Sequence, residues 1–378
     1  MQAIINGKII LPQKILENHV ILFETTIEAI IPWKEFSSAT CVRVFDAHGD
    51  YIAPGFINMH IHGCAGADVM DTEPSALQTM GNALVSTGVT AFLPTTMTYN
   101  FPRIYQALDN IRNYMSKESG ARVLGCNLEG PYISQEFKGA QAPENILSAD
   151  FSKIEKYADV IKIITVAPEK LHNEEFFRLC KEKKIIISLG HSGATYEEAM
   201  SAISKGATHI THLFNAMTAL HHRKPGLAGA ALDSNVNCEL IVDNIHVHPA
   251  IQRLVYKIKG KSTIILVTDS MRACLQEDGI SELGGQKVFV HNKIATLKDG
   301  TIAGSVLTMD RAIMNFLTNT RAPLTDVIAM VTVNPAKELG LYKQLGSITP
   351  GKKADMVIFD NKINIKTTFI KGVQVFQK

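Results

Sequence analysis

A chain of 378 residues exceeds the roughly 250 of a barrel domain by enough for one smaller module. Apolar residues make up 46% and charged residues 20%, so core material is ample and a disordered chain is excluded. The net charge is only +2, with no basic stripe interleaved by aromatics, which argues against nucleic acid as a partner.

The chain opens Met1-Gln2-Ala3-Ile4-Ile5-Asn6-Gly7, which reads as a strand and not as a signal peptide. No window approaches the roughly 18 consecutive apolar residues that a membrane helix needs. Cys41, Cys64, Cys126, Cys180, Cys238 and Cys274 are scattered, with no CxxC pair. They read as reduced thiols of a cytoplasmic protein.

Short β-branched runs at 3–10, 19–23, 26–31 and 41–46 predict strands in the first fifty residues. From Tyr51 onward, apolar runs of four to eight residues alternate with amphipathic stretches. The runs lie at 56–62, 89–94, 122–129, 160–166, 185–190, 209–214, 239–243 and 263–269. Helices are predicted over 75–87, 102–117, 173–183, 196–205 and 249–259. Eight β-runs with helical crossovers, and no GxGxxG after the first, predict a closed (β/α)₈ barrel and not a dinucleotide fold.

Residues 271–304 read as an excursion with a hairpin that ends in the Asp299-Gly300 turn. Helices resume at 308–319 and 324–338, and strands follow at 354–359 and 366–376. The expected architecture is an α/β chain. Its TIM-like barrel spans 53–341, with a small β-sandwich module built from both chain termini, 1–52 and 342–378.

Ionisable residues collect where the barrel runs end, the face on which barrel active sites are built. His60 and His62 are two apart on a strand, so both rings point to one side. Glu129 closes the third run, His191 and His212 follow the fifth and sixth, and Asp269 follows the eighth. Taken singly, each has an ordinary explanation: a core histidine, an ion-paired Glu, a helix-capping Asp. His209, nearer the middle of its run, reads as a packing residue. Five strands delivering His, Glu or Asp to one end of one barrel do not have that explanation. A site of nitrogen and oxygen ligands without Cys suits Zn²⁺ or Fe²⁺ and metal-assisted hydrolysis.

At these residues the chain resembles the amidohydrolase superfamily. Pro54-Gly55-Phe56-Ile57-Asn58-Met59-His60-Ile61-His62-Gly63 is similar to its opening motif, and Asn334-Pro335-Ala336 with 346–355 to its closing one. Leu128-Glu129-Gly130-Pro131, Gly190-His191-Ser192, 212–217 and 223–229 resemble segments of the N-acetylglucosamine-6-phosphate deacetylases within it. That resemblance implies hydrolysis of a sugar-phosphate acetamide, with Glu129, His191 and His212 as main metal ligands and Asp269 as catalytic acid/base. His60 and His62 imply a second ion bridged by Glu129, so one or two divalent ions per subunit.

The resemblance also implies sugar-phosphate contacts from Asn215 and the backbone of Ala216. Arg223 and His246 become phosphate contacts that reach the neighbouring site of a homodimer. Ala140 and Gln141, with the Ile302-Ala303-Gly304 turn, close over the N-acetyl sugar. Many members carry His where this chain has Gln141, and the second ion is expected to take over carbonyl polarisation here. Three alternatives stay open: a cyclic-amide hydrolase, a deaminase, and a non-catalytic sugar-phosphate sensor.

Overall fold

The computed structural model describes residues 1–116, 119–171 and 174–378. Lys117, the end of one expected helix, and Asn173, the start of another, lie outside the described residues.

Eight parallel strands form a barrel: β1 (Phe56–Ile61), β2 (Val89–Thr96), β3 (Cys126–Glu129), β4 (Ile161–Val166), β5 (Ile186–Leu189), β6 (His209–Ile210), β7 (Asn237–Ile241) and β8 (Ile264–Val267). Each pairs in parallel with the next, with register irregularities between β1 and β2 and between β3 and β4. The ring closes between β8 and β1, where Asp269 N donates to the His60 carbonyl (3.0 Å) and His62 N to Ser270 (2.9 Å). β1 and β2 are buried along their whole length, as strands covered on both faces must be, hence their nearly continuous apolar runs.

The crossover helices start where local chemistry allows. Asn100 caps Phe101–Tyr114 with Pro102 in its first turn, and Thr195 with Glu198 forms a reciprocal capping box on Tyr196–Ser204. The helix expected over 324–338 is two: Leu324–Val331 and Val333–Glu338. Pro335 has no N–H, and its ring would clash with the carbonyl four residues back, so a continuous helix cannot pass. Gly226–Asp233 forms a helix that hydrophobic periodicity did not reveal, because it is short, Gly/Ala-rich and buried on most sides.

Both chain ends build the sandwich. One sheet orders Ile27–Pro32, His19–Phe23, Gln2–Ile5 and Arg43–Asp46. The other orders Val373–Gln377, Ile365–Ile370, Met356–Phe359, Tyr51–Pro54, Lys8–Ile10 and Ile15–Leu16. The run expected at 3–10 breaks at Asn6-Gly7, where Asn6 is left-handed, and the run at 366–376 folds into a hairpin over Lys371-Gly372. Gly372 is obligatory there: its φ is 74°, and an added Cβ would strike the Glu24 carbonyl.

Between the sheets lie Ile4, Ile21, Ile52, Met356 and Phe369. Phe369 is fully buried, edge-on to Phe45 (4.8 Å) and Phe23 (5.6 Å). Phe369→Ala should cost about 3–5 kcal/mol by lost transfer energy and the cavity left behind. Denaturant titration will show this as a lower midpoint; a loss below about 1 kcal/mol would mean that the sheets re-close over the gap.

The excursion after β8 is a three-stranded antiparallel sheet, Gly279–Leu283, Gln286–His291 and Ile294–Thr296. Its tight turns, Gly284-Gly285 and Asn292-Lys293, have both central residues at positive φ, and the Asp299-Gly300 turn returns the chain to the barrel. Among the described residues no helix is long and apolar enough to cross a membrane.

Candidate metal centre

Backbone geometry aims the ligands. His191, His212 and Asp269 each stand two residues past the end of a strand, β5, β6 and β8 respectively. All three are left-handed, with φ of 48°, 27° and 47°. This turns the chain out of the strand and swings each side chain over the barrel mouth. His and Asp tolerate that region better than most residues. Phe214 (78°) and Ala216 (50°) do not, at roughly 1–3 kcal/mol each, and strain of this kind clusters at functional sites. The same turns cut the run expected at 209–214 to the two residues of β6.

Two ligand groups result, both buried: Glu129 with His191 and His212, and His60 with His62 and Asp269. In the first, Glu129 Oε1 lies 3.2 Å from His191 Nε2 and 3.0 Å from His212 Nε2, and the two nitrogens are 3.1 Å apart. In the second, His60 and His62 Nε2 are 3.3 Å apart and lie 3.4 and 3.2 Å from Asp269 Oδ1. Ligands about 2.0–2.1 Å from a tetrahedral Zn²⁺ stand about 3.3 Å from each other, so both groups have the spacing of a coordination shell. Glu129 joins them: its Oε1 is 3.5 Å from His60 and its Oε2 3.3 Å from His62.

Three of the four rings have an acceptor on Nδ1, while His212 Nδ1 is buried without a partner among the described residues. His191 Nδ1 meets the Phe137 carbonyl (3.0 Å), His62 Nδ1 the Thr95 carbonyl (3.1 Å) and His60 Nδ1 the Glu239 carboxylate (2.8 Å). Each acceptor takes an Nδ1–H, which leaves the Nε2 lone pair pointing inward. Burial opposes ionisation of Glu129, yet the imidazoles of His60, His191 and His212 hold it well below the usual carboxylate range. Burial likewise disfavours a charged His62, but Asp269 and Glu129 push it well above its ordinary value. These opposed shifts describe carboxylates and imidazoles that hold each other in charged form in a buried pocket.

A cavity of about 250 Å³ opens over both groups. His62, Glu129, His191, His212 and Asp269 form its floor. Ala140, Gln141, Asn215, Ala216, Ile302 and Gly304 stand in its walls. Ala303 does not; it is fully buried, its N–H bonded to the Ala295 carbonyl. His246 lines this chain's own cavity; its loop follows β7, whose end opens on the same mouth. Arg223 is exposed beside His222 (2.7 Å) and lies outside the cavity. A larger cavity, about 670 Å³, lies by Arg272 and Glu282 and holds neither ligand group.

Gln141 is held at both ends of its amide: Nε2 donates to Glu129 Oε2 (2.7 Å) and Oε1 accepts from Thr98 N (2.8 Å). Sequence reasoning missed Met97, Leu283 and Thr301, which also line the cavity and carry no chemical signature. It also missed Glu239, whose signal was an acid inside an apolar strand. His209, read as packing, bonds two carboxylates: Glu239 (3.2 Å) and Glu338 (3.2 Å). Burial disfavours its charge, yet those two acids raise its pKa to about 9.

Residues 51–375 match the model of the amidohydrolase family. The chain is 42% identical over 331 residues to an N-acetylglucosamine-6-phosphate deacetylase of Bacillus subtilis, covering 85% of this chain and 83% of that one. It is 36% identical over 337 residues to an N-acetylgalactosamine-6-phosphate deacetylase of Escherichia coli O157:H7, covering 88% and 89%. The crystal structure of N-acetylglucosamine-6-phosphate deacetylase from Pasteurella multocida superposes with a TM-score of 0.95 over the whole of both chains, at 32% identity. With strand order, ligand placement and sequence in agreement, this chain belongs to the amidohydrolase family.

Proposed function

We propose that this protein hydrolyses the acetamide of N-acetyl-D-glucosamine 6-phosphate to D-glucosamine 6-phosphate and acetate, a step of amino-sugar breakdown in the cytoplasm. The observation that carries this is the pair of joined ligand groups beneath a cavity with Asp269 at its floor. The relatives' names supply the substrate. Bound at these ligands, one or two divalent ions (Zn²⁺ or Fe²⁺) supply an activated water and a positive charge for the carbonyl oxygen.

The remaining work falls to the protein. Asp269 takes the proton of the attacking water and returns it to the departing amine. Gln141 holds Glu129 in place and, with Ala140, Ile302 and Gly304, covers the acetamido sugar. Asn215, the Ala216 N–H and His246 take the sugar phosphate. Arg223 serves the neighbouring site of a homodimer, since a guanidinium binds phosphate oxygens in a bidentate manner. The barrel over 53–341 is the catalytic unit, and 1–52 with 342–378 form its β module.

The test is acetate release from the phosphorylated sugar, with the unphosphorylated sugar and the galacto epimer alongside. The E. coli relative favours the epimer as a second reading. Fast release that requires the phosphate is expected. Arg223→Ala should raise KM roughly ten- to hundredfold for the phosphorylated substrate with little change in kcat. An unchanged KM removes Arg223 from the phosphate site; no release from metal-loaded protein removes the substrate.

A further inference from the structure

We propose that Glu239 and His209 are positioning residues: a buried row that fixes the His60 ring with Nε2 toward an ion and sets how firmly the His60–His62 ion is kept. The proposal rests on the two-ion reading above and adds to it residues that touch neither ion nor substrate.

The row starts at His60 Nδ1, 2.8 Å from Glu239 Oε2. Glu239 Oε1 meets His209 Nε2 at 3.2 Å, and His209 Nδ1 meets Glu338 Oε1 at 3.2 Å. Asn237 Nδ2 anchors the far oxygen of Glu338. His60, Glu239 and His209 have no exposed surface, and neither Glu239 nor His209 lines the cavity. Barrel interiors are ordinarily filled by layers of branched aliphatic side chains. A buried ionic row is a poorer way to stabilise such a core than apolar packing of similar volume. Stability therefore does not account for it.

Metal chemistry does. A ligating histidine almost always gives its second nitrogen an acceptor, which selects the tautomer, holds the ring plane and raises the basicity of the ligand nitrogen. His62 and His191 use neutral backbone carbonyls for this. Among the described residues of the two ligand groups, only His60 has a carboxylate as its Nδ1 partner. Glu239 is itself held on its other oxygen by His209, so it cannot turn away. Glu239 Oε2 also accepts from His212 N (3.2 Å), which ties the row to the backbone of the other group.

The test measures zinc retained per chain by elemental analysis as loaded protein is dialysed against rising chelator, with thermal melting recorded in parallel. Wild type should release two ions in separate steps. Glu239→Gln should release its first ion at least tenfold more readily while the second step stays in place. His209→Leu, which strips Glu239 of one partner, should shift the first step in the same direction. His209→Gln, which restores an N–H donor, should bring it back toward wild type. If the first step is unmoved in both Glu239→Gln and His209→Leu, the proposal is overturned. Equal shifts of both steps overturn it as well, since they mean general loosening. Should Glu239→Gln not fold, the two His209 variants decide alone, and identical release from them overturns the proposal. A wild-type chain that keeps a single ion sinks the two-ion reading itself, before any variant is measured.

Discussion

Glu129→Ala is expected to empty both ligand groups at once and to remove turnover. Glu129 is the sole carboxylate of the first group, and its two oxygens lie 3.5 and 3.3 Å from the histidines of the second. Its loss leaves His191 and His212 as two neutral ligands, short of the three or four that hold a divalent ion. It also takes from His60 and His62 one of the two carboxylates beside them, leaving Asp269 alone to draw a cation there. Gln141, whose amide is fixed on Glu129 Oε2, loses its anchor in the same step. Elemental analysis of the purified variant should find well under one ion per chain, against up to two in wild type. Full retention of one ion would show that the groups are independent and that Glu129 bridges nothing.

Asp269→Asn should leave the first group's ion in place and still reduce kcat by about 10³-fold or more. An amide cannot take a proton from water or hand one to the leaving amine, and positioned acid–base groups contribute about 10²–10⁴-fold. The carboxylate is held in the form that proton transfer needs. Burial alone would raise its pKa, but His60 and His62 lower it, so it is ionised and ready to accept. Its Oδ1 also touches both histidines, so occupancy of the second group should fall without loss of the first. Metal analysis beside single-turnover kinetics separates the two effects. Near-normal turnover with one ion bound would assign the proton transfers to another group.

The barrel was legible because its strands are buried on both faces and read as unbroken apolar runs; all eight positions held. The ligands were legible for a related reason: an ionisable residue directly after such a run has no ordinary packing role. What stayed hidden depends on the third dimension. Pro335 breaks a helix whose apolar pattern is continuous, because the clash is with a carbonyl four residues away. Glu239 lies inside its strand and His209 opens its own, where His209 reads from sequence as a packing residue and Glu239 gives no ligand signal. His246 stands over this chain's own cavity, and no pattern along the chain says which mouth a loop overhangs. The left-handed turns at 191, 212 and 269 fall on residue types that give no glycine signal.

The join between β8 and β1 makes the two ligand groups unequal in the life of the chain. The first group spans only the 83 residues between Glu129 and His212. The second needs residues about two hundred apart, drawn together by the last hydrogen bonds of the ring. The added loop-closure entropy is small, about 0.8 kcal/mol, because it grows only with the logarithm of length. The order of assembly is not negotiable, however. A ribosome must release β8 before His60 and His62 meet their carboxylate, while Glu129, His191 and His212 have already emerged. Occupancy of the His60–His62 position thus reports a finished ring, and occupancy of the other does not.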